Sequence, residues 1–322
     1  MTPSSVLVIK PSSLGDIVHT LPAVHFLKTT FRDADFFWIA NPEWTPLLQG
    51  NADLKAVIPF PRSRFRGARG IVKFVRWCGE ISHLEPDLVL DFQGLIRSAW
   101  IARSAKGQRI LGLSDAREAA VYHYHERVDV DTGQHAVDRY VQLASFAAAD
   151  TSGPACFPLP RGRAIPSLEL PDRFIVLHPF ARGKAKSLTS EEIFEFTRLL
   201  APHPVMIVGR SDEHFAVTRN TISLVNQTDL LQLIWLLRGA SFIISVDSGP
   251  MHIAAAITPD LLSIHMWTDP RVVGPYNPDA WIWKDQRIEQ VRAIADEVRS
   301  KRSRGRPNLL QIAKFVHGRL LQ

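Results

Sequence analysis

Cysteine is scarce: Cys78 and Cys156 are the two thiols in 322 residues. Two cysteines make neither a disulfide framework nor a zinc pattern, and such usage fits a reducing compartment. Long apolar runs are missing as well. None approaches the roughly 20 residues of a membrane span, and the run Val6–Ile9 is far too short for a secretory core. Histidines and carboxylates do not fall at metal-ligand spacings. The run Tyr122-His123-Tyr124-His125-Glu126 invites a metal assignment, but it reads equally as a half-buried strand with one polar face. There is no internal repeat, and no interleaving of aromatic and basic residues of the kind that stacks nucleic-acid bases. These absences predict a cytoplasmic protein with no metal, no cofactor and no nucleic-acid partner.

What is present is a globular composition. Hydrophobic residues make up 46% of the chain and charged residues 22%, which excludes disorder. The length suffices for two domains with full cores. The net charge is +6 and the isoelectric point is near 9.5. A basic balance favours polyanions: nucleic acid, phosphorylated substrates or an anionic membrane face. Composition alone does not separate these three.

Short β-type runs alternate with longer helical stretches. In the first half the strands are predicted at Val6–Ile9, Asp35–Ala40, Ala56–Phe60, Leu88–Phe92 and Arg109–Leu113. In the second half they fall at Phe174–His178, Pro204–Val208, Ile222–Val225, Phe242–Val246 and Leu261–His265. The runs are apolar nearly throughout, as in parallel strands covered on both faces. The alternation predicts an α/β protein of two Rossmann-like, doubly wound domains facing across a cleft. Prolines at 154, 158, 160, 166 and 171 mark the boundary. The predicted division is residues 1–155, a linker at 156–171, and 172–322. Arg299–Pro307 reads as a basic, irregular loop before a final amphipathic helix, Leu309–Leu321, that either stays with the second domain or packs back on the first.

Two segments carry most of the chemical information. One is Val6-Leu7-Val8-Ile9 followed by Lys10-Pro11-Ser12-Ser13-Leu14-Gly15-Asp16-Ile17-Val18-His19-Thr20-Leu21-Pro22-Ala23. The other is Ile243-Ile244-Ser245-Val246-Asp247-Ser248-Gly249-Pro250-Met251-His252-Ile253-Ala254-Ala255-Ala256. Each reads as an apolar strand, a turn of small polar residues and glycine, and the start of a helix. Such a unit aims backbone N–H groups and a helix dipole at one spot, which suits an anion.

The first segment resembles the N-terminal signature of the bacterial ADP-heptose:lipopolysaccharide heptosyltransferases, and most of all their heptosyltransferase I branch. The second is similar to the family's S-V-D-T-G-x-x-H-x-x-A-A. Asp91-Phe92-Gln93-Gly94-Leu95-Ile96-Arg97-Ser98-Ala99 resembles D-x-Q-G-L-x-[KR]-S-A, and Arg117-Glu118 with Gln134-His135-Ala136-Val137-Asp138-Arg139 resembles a fourth motif. The resemblance implies a GT-B glycosyltransferase that moves heptose from an ADP-sugar to the Kdo-containing inner core of lipopolysaccharide. Transfer would proceed with inversion and without a required metal, at the inner face of the cytoplasmic membrane, on a Kdo–lipid A acceptor. Two departures stand out. Lys186-Ser187-Leu188-Thr189 replaces Lys-x-Trp-Pro, and His265-Met266-Trp267-Thr268-Asp269-Pro270 replaces an aromatic-Gly-Pro-Thr turn.

Roles follow from the resemblance together with the chemistry. Inverting transfer needs a base for the acceptor hydroxyl and a partner for the departing diphosphate. Asp16 is implied as the base; the alternative is a plain first-turn acid favoured by the helix dipole. Ser12, Ser13 and Gly15 shape the turn and lend donors to the substrate. Asp247 either positions the turn or simply caps a helix, with Ser248, Gly249 and His252 beside it on the donor side. A catalytic cation is placed at Lys186, with Lys184 as the other candidate and Arg182 nearby. Thr228 is assigned to the donor. Arg62, Arg64, Arg66 and Arg69 form a basic segment suited to carboxylate and phosphate groups, and with Gln93, Arg97, Arg117 and His135 they make the acceptor side. Competing readings are a family member with another nucleotide sugar or acceptor, and a non-catalytic nucleotide- or nucleic-acid-binding protein.

Overall fold

A computed structural model describes residues 2–166, 168–294, 303 and 305–321. The chain divides into two compact units, Met1–Pro160 and Arg161–Gln322. The division falls inside 156–171, where closely spaced prolines cannot donate to a ladder or continue a helix.

In the first unit the elements are β1 (Ser5–Ile9), α1 (Leu14–Thr30), β2 (Asp35–Ala40), α2 (Thr45–Leu48), β3 (Ala56–Pro59), α3 (Gly67–Ile81), β4 (Leu88–Asp91), α4 (Ile96–Ser104), β5 (Arg109–Leu113), β6 (Glu126–Val128) and α5 (Ala136–Phe146). The strands form one sheet in the order β3-β2-β1-β4-β5-β6, parallel throughout. Val6, Leu7, Val8 and Ile9 are all fully buried, because a strand covered on both faces has no solvent side. Leu7 and Ile9 join Trp77 and Ile81 of α3 and Ile101 and Ala102 of α4 in one core. Val6 and Val8 point the other way by the two-residue period of a strand.

The second unit contains β7 (Ile175–His178), α6 (Ser190–Leu199), β8 (Val205–Ile207), β9 (Thr221–Ser223), α7 (Leu230–Gly239), β10 (Phe242–Val246), α8 (Gly249–Ile257), β11 (Leu261–Ile264), α9 (Pro270–Val273), β12 (Trp281–Lys284), β13 (Arg287–Gln290) and α10 (Leu309–Leu320). Its sheet runs β13-β12-β11-β10-β7-β8-β9, with β13 antiparallel to β12. Helix starts follow local chemistry. Thr189 with Glu192, and Asp229 with Gln232, form reciprocal capping boxes at α6 and α7.

The structure departs from the sequence reading in several places. Residues 120–123 form a single 3-10 turn, and the edge strand β6 begins only at Glu126. The hairpin β12–β13 carries no sequence signal of the usual kind. Its two turn residues, Asp285 and Gln286, have φ of 49° and 65°, the left-handed pair normally supplied by Asn-Gly or Asp-Gly. The final helix is one residue shorter than predicted, and it packs within the second unit. Ile312, Ala313, Val316 and Leu320 are buried in that unit's core. Of the predicted basic loop, residues 299–302 and 304 lie outside the described residues. Arg306, by contrast, is engaged: Nε donates to Glu192 Oε1 at 2.7 Å and Nη2 to Ser187 O at 2.8 Å.

Candidate active site

In the first sheet the winding reverses between β1 and β4, so the loops leaving their carboxyl ends diverge and open a crevice. Two motifs far apart in the chain meet there. The Ser12 backbone N–H donates to Gln93 Oε1 at 3.3 Å. Ser13 is the N-cap of α1, and its peptide with Ser12 is cis. Asp16 occupies the third helical position, where Oδ2 accepts from Ser13 N at 2.9 Å and Ser13 Oγ at 2.6 Å. Gly15 lies within the first helical turn of α1, so it is not a left-handed turn glycine.

Behind this carboxylate stands a cation that sequence analysis did not single out. Lys10 is 3% exposed, and its Nζ donates to Phe92 O and Tyr140 Oη, both at 2.8 Å. The same Nζ is 3.9 Å from Asp16 Oδ1, and the Asp16 side chain remains 40% exposed. Burial works to lower the Lys10 pKa. The opposing effects of Tyr140 and Asp16 exceed it and hold the ammonium above its ordinary value. A lysine closing an apolar strand, directly before a turn that carries an aspartate, was the available signal, since a buried ammonium requires a partner.

Asp91 explains the D-x-Q-G-L-x-R-S motif structurally. It is fully buried. Oδ1 accepts from Gln93 N at 2.9 Å and Gly94 N at 3.2 Å, and Oδ2 accepts from Ser98 Oγ and Tyr124 Oη, each at 2.8 Å. Burial pushes this carboxyl above its ordinary value and pushes the Tyr124 phenol up as well. The network fixes the loop that presents Gln93 and Arg97. Two adjoining cavities result. One of about 550 Å³ is lined by Arg62, Arg66 and Arg97 together with Asn41 and Glu43. The other, about 160 Å³, includes Ser12, Gln93, Arg62 and Arg97. Three predicted acceptor residues, Arg62, Gln93 and Arg97, thus converge with Ser12, and Arg66 joins them through the larger cavity. Arg64, Arg69 and Arg117 are exposed outside these two cavities. His135 is placed differently from the prediction. It is 8% exposed, its Nδ1 accepts from Val137 N at 3.1 Å as the N-cap of α5, and its ring meets His19 edge-on at 5.1 Å. The Gln-His-Ala-Val run is a helix start, and here its cap is buried.

In the second sheet the winding reverses between β7 and β10. The turn after β10 carries Asp247, and the loop after β7 carries Lys186, whose Nζ donates to Asp247 Oδ2 at 3.1 Å. Thr268 Oγ1 donates to the same oxygen at 2.8 Å. Behind Thr268, its Oγ1 is 2.9 Å from His265 Nδ1, and Ser263 Oγ is 2.7 Å from His265 Nε2. Lys284, 2% exposed, donates to Thr268 O at 3.1 Å, and burial lowers its pKa. For Asp247 burial acts upward, but His265, Lys186, His252 and the Thr268 hydroxyl together hold the carboxyl below its usual value. Burial pushes His265 down to about 4, so near neutral pH Lys186 supplies the positive charge. Sequence reasoning does not single out Thr268, His265 or Lys284 as site residues; the first two fall in the turn that departs from the resemblance.

The two candidate lysines separate cleanly. Lys184 is 93% exposed and pairs with Glu213 at 2.7 Å, whereas Lys186 is 34% exposed and reaches Asp247. Arg182 is exposed on the same loop, and Thr228 lies just ahead of Asp229, the N-cap of α7. Ser248 is the N-cap of α8; its Oγ meets His178 Nδ1 at 3.1 Å and donates to Val246 O at 3.0 Å. Gly249 opens the helix and His252 is buried within it. Not every residue at the start of α8 offers a free backbone N–H. Pro250 has none, and Met251 N donates to Ser248 O.

Buried neutral histidines tie this unit's stability to pH. His178 and His265 are both pushed down to about 4 by burial, from an ordinary 6.5. Between those values the unfolded chain binds protons that the folded chain refuses, so stability present above pH 6.5 is lost on acidification. Each ring accounts for about 2 kcal/mol of loss by pH 5. The urea midpoint is expected to fall clearly between pH 7 and pH 5, and to fall less in His265→Gln. An unchanged wild-type midpoint across that range would show that neither ring is held neutral.

The family model described as glycosyltransferase family 9 (heptosyltransferase) matches residues 80–296. Lipopolysaccharide heptosyltransferase 1 of Escherichia coli K12 is 26% identical over 321 residues, covering 92% of this chain and 99% of that one. Among solved structures, E. coli ADP-heptose lps heptosyltransferase II superposes with a TM-score of 0.79 at 19% identity, covering 99% of each chain. E. coli heptosyltransferase WaaC with ADP-2-deoxy-2-fluoro heptose does so with a TM-score of 0.74 at 22% identity, covering 98% of this chain and 99% of that one. The fold is therefore the GT-B fold of those enzymes. With two thirds of its length matched by the family model, from the end of α3 through β13, the chain belongs to glycosyltransferase family 9, the heptosyltransferases.

Proposed function

We propose that this glycosyltransferase moves heptose from ADP-heptose to the Kdo region of the lipopolysaccharide inner core, with inversion. One observation carries the division of labour. Each unit pairs a lysine with an aspartate at its sheet's switch point, but with opposite burial. In the first, the lysine is 3% exposed and Asp16 40%; in the second, Lys186 is 34% exposed and Asp247 12%. The first turn therefore offers a carboxylate and the second a cation. The acceptor hydroxyl attacks the anomeric carbon as Asp16 takes its proton. The bond from that carbon to the diphosphate oxygen breaks, and ADP leaves with the electron pair. Lys186 and the N-terminus of α8 stabilise the charge that develops, and Asp247 holds Lys186 in place. No metal is required in this scheme. The cavities lined by Arg62, Arg66, Arg97 and Gln93 take the carboxylate and phosphate groups of a Kdo–lipid A acceptor. The enzyme works as a peripheral protein at the inner face of the cytoplasmic membrane.

The test is mass spectrometry of Kdo–lipid A after incubation with a panel of nucleotide sugars, with and without a chelator. A mass increase of one heptose from ADP-heptose alone, undiminished by chelation, is expected. Transfer of a different sugar, or activity lost to chelator and restored by magnesium, would overturn the corresponding part of the scheme.

A further inference from the structure

Helix α3 is more apolar than its own core requires. At 3.6 residues per turn, Gly70, Trp77, Cys78 and Ile81 face inward and are buried. Ile71, Val72 and Val75 share an outward face with Ala68, and these three aliphatic side chains are 65%, 71% and 61% exposed. Arg69, Lys73 and Arg76 form the adjoining strip of the helix. From Phe60 to Gly79 there are six cations and no acid. The neighbouring elements continue the pattern. Helix α4, packed against α3, turns Trp100 outward at 55% exposure. The 3-10 turn at Ala120–His123 packs on α4 and exposes 81% of Tyr122. Around Trp100 stand Arg103, 2.9 Å from His125, and the His123 ring at 6.1 Å.

We propose that the outer face of the α3–α4 layer docks on an anionic lipid bilayer. Aliphatic side chains beside a strip of arginine and lysine are what a helix needs to lie in an interface, apolar face in the acyl boundary and cations among the headgroups. Tryptophan and tyrosine belong at the same depth, with one apolar and one polar end. The excess of positive charge, six cations against Glu80 at the end of the helix, selects the occupant, because it complements a continuous sheet of negative headgroups. The cavity lined by Arg62, Arg66 and Arg97 is built from the residues that lead into α3 and α4. On the reading given above, docking would bring that cavity to the headgroup level of a lipid-linked acceptor. The proposal rests on the peripheral location in that reading and adds the face that docks.

The experiment is co-sedimentation of the full chain with phosphatidylcholine vesicles, with and without phosphatidylglycerol. No sugar donor is present, so failure of docking and failure of heptose transfer are read separately. The protein is expected to partition about 10-fold more strongly onto the anionic vesicles, with the gain erased by high salt. Ile71→Ser/Val72→Ser/Val75→Ser should lose about 10-fold of that binding at an unchanged melting temperature. Should that variant fail to fold, Lys73→Glu/Arg76→Glu, which alters only exposed positions, should lose the preference for anionic vesicles. Wild-type binding in either folded variant would overturn the proposal. So would equal binding to both vesicle types, or a variant that abolishes self-association of a protein that ignores vesicles; the last would make this face a contact between copies.

Discussion

Asp16→Asn is expected to lower turnover about 100-fold or more, the scale for losing a general base, in a protein that stays folded and still binds ADP. The substitution keeps shape and hydrogen-bonding length. Asparagine Oδ1 can still accept from Ser13 N, now 2.9 Å from the carboxylate, so the start of α1 is preserved. Lys10 loses a charge 3.9 Å away but retains Phe92 O and Tyr140 Oη as acceptors. What disappears is an exposed group able to take a proton. If Asp16 were only a helix cap, the outcome would be reversed: a lower melting temperature with near-normal turnover in the folded fraction. Measuring melting, ADP affinity and kcat on one preparation distinguishes the two. Near-wild-type kcat in a folded, ADP-binding variant would remove Asp16 from the mechanism.

Lys186→Ala is expected to reduce kcat by about 100-fold or more, the range for removing one preorganised charge from a leaving group, and to weaken ADP binding by about 10-fold. Stability should fall by about 1–2 kcal/mol, because Asp247 is left largely buried without its cation. That figure is below the 3–5 kcal/mol of a fully buried pair, since the lysine end is partly solvated. Thr268 Oγ1 still donates to Asp247, so the turn keeps its shape. Lys184→Ala is the control. Its partner is Glu213 on the surface, and kcat, ADP affinity and melting should all stay close to wild type. A damaged Lys184→Ala beside a healthy Lys186→Ala would exchange their roles.

Much of the fold was legible because it is local. Strand–turn–helix units announce themselves through apolar runs followed by small polar residues, and all ten predicted strands lie over observed ones. The strands that were missed have physical reasons. β6 is three residues long at a sheet edge. β12 and β13 join through Asp285 and Gln286, and a glutamine rarely adopts the left-handed backbone it has at the second turn position here. Among the candidate site residues, Arg62, Arg66, Gln93 and Arg97 line the cavities because they lie in the segments that follow β3 and β4 at the carboxyl ends of the sheet. The capping role of His135 was not legible because it depends on where α5 starts.

By itself, the sequence determined that two parallel sheets would form and that each would carry a polar turn at the end of an apolar strand. It also placed Asp16 at a helix start and Lys186 on a loop. Those are properties of neighbouring residues, set by backbone propensity and the two- and 3.6-residue periods. Tertiary structure alone decided which charges meet. Lys186 and Asp247 are 61 residues apart, Thr268 and Asp247 are 21 apart, and Lys10 finds Tyr140 across 130. Parallel register brings the ends of β7 and β10 side by side, and those of β1 and β4. Burial then makes the pairing obligatory for whichever partner is inside, because an isolated charge there is too costly. That is how one turn came to expose its acid and the other its base.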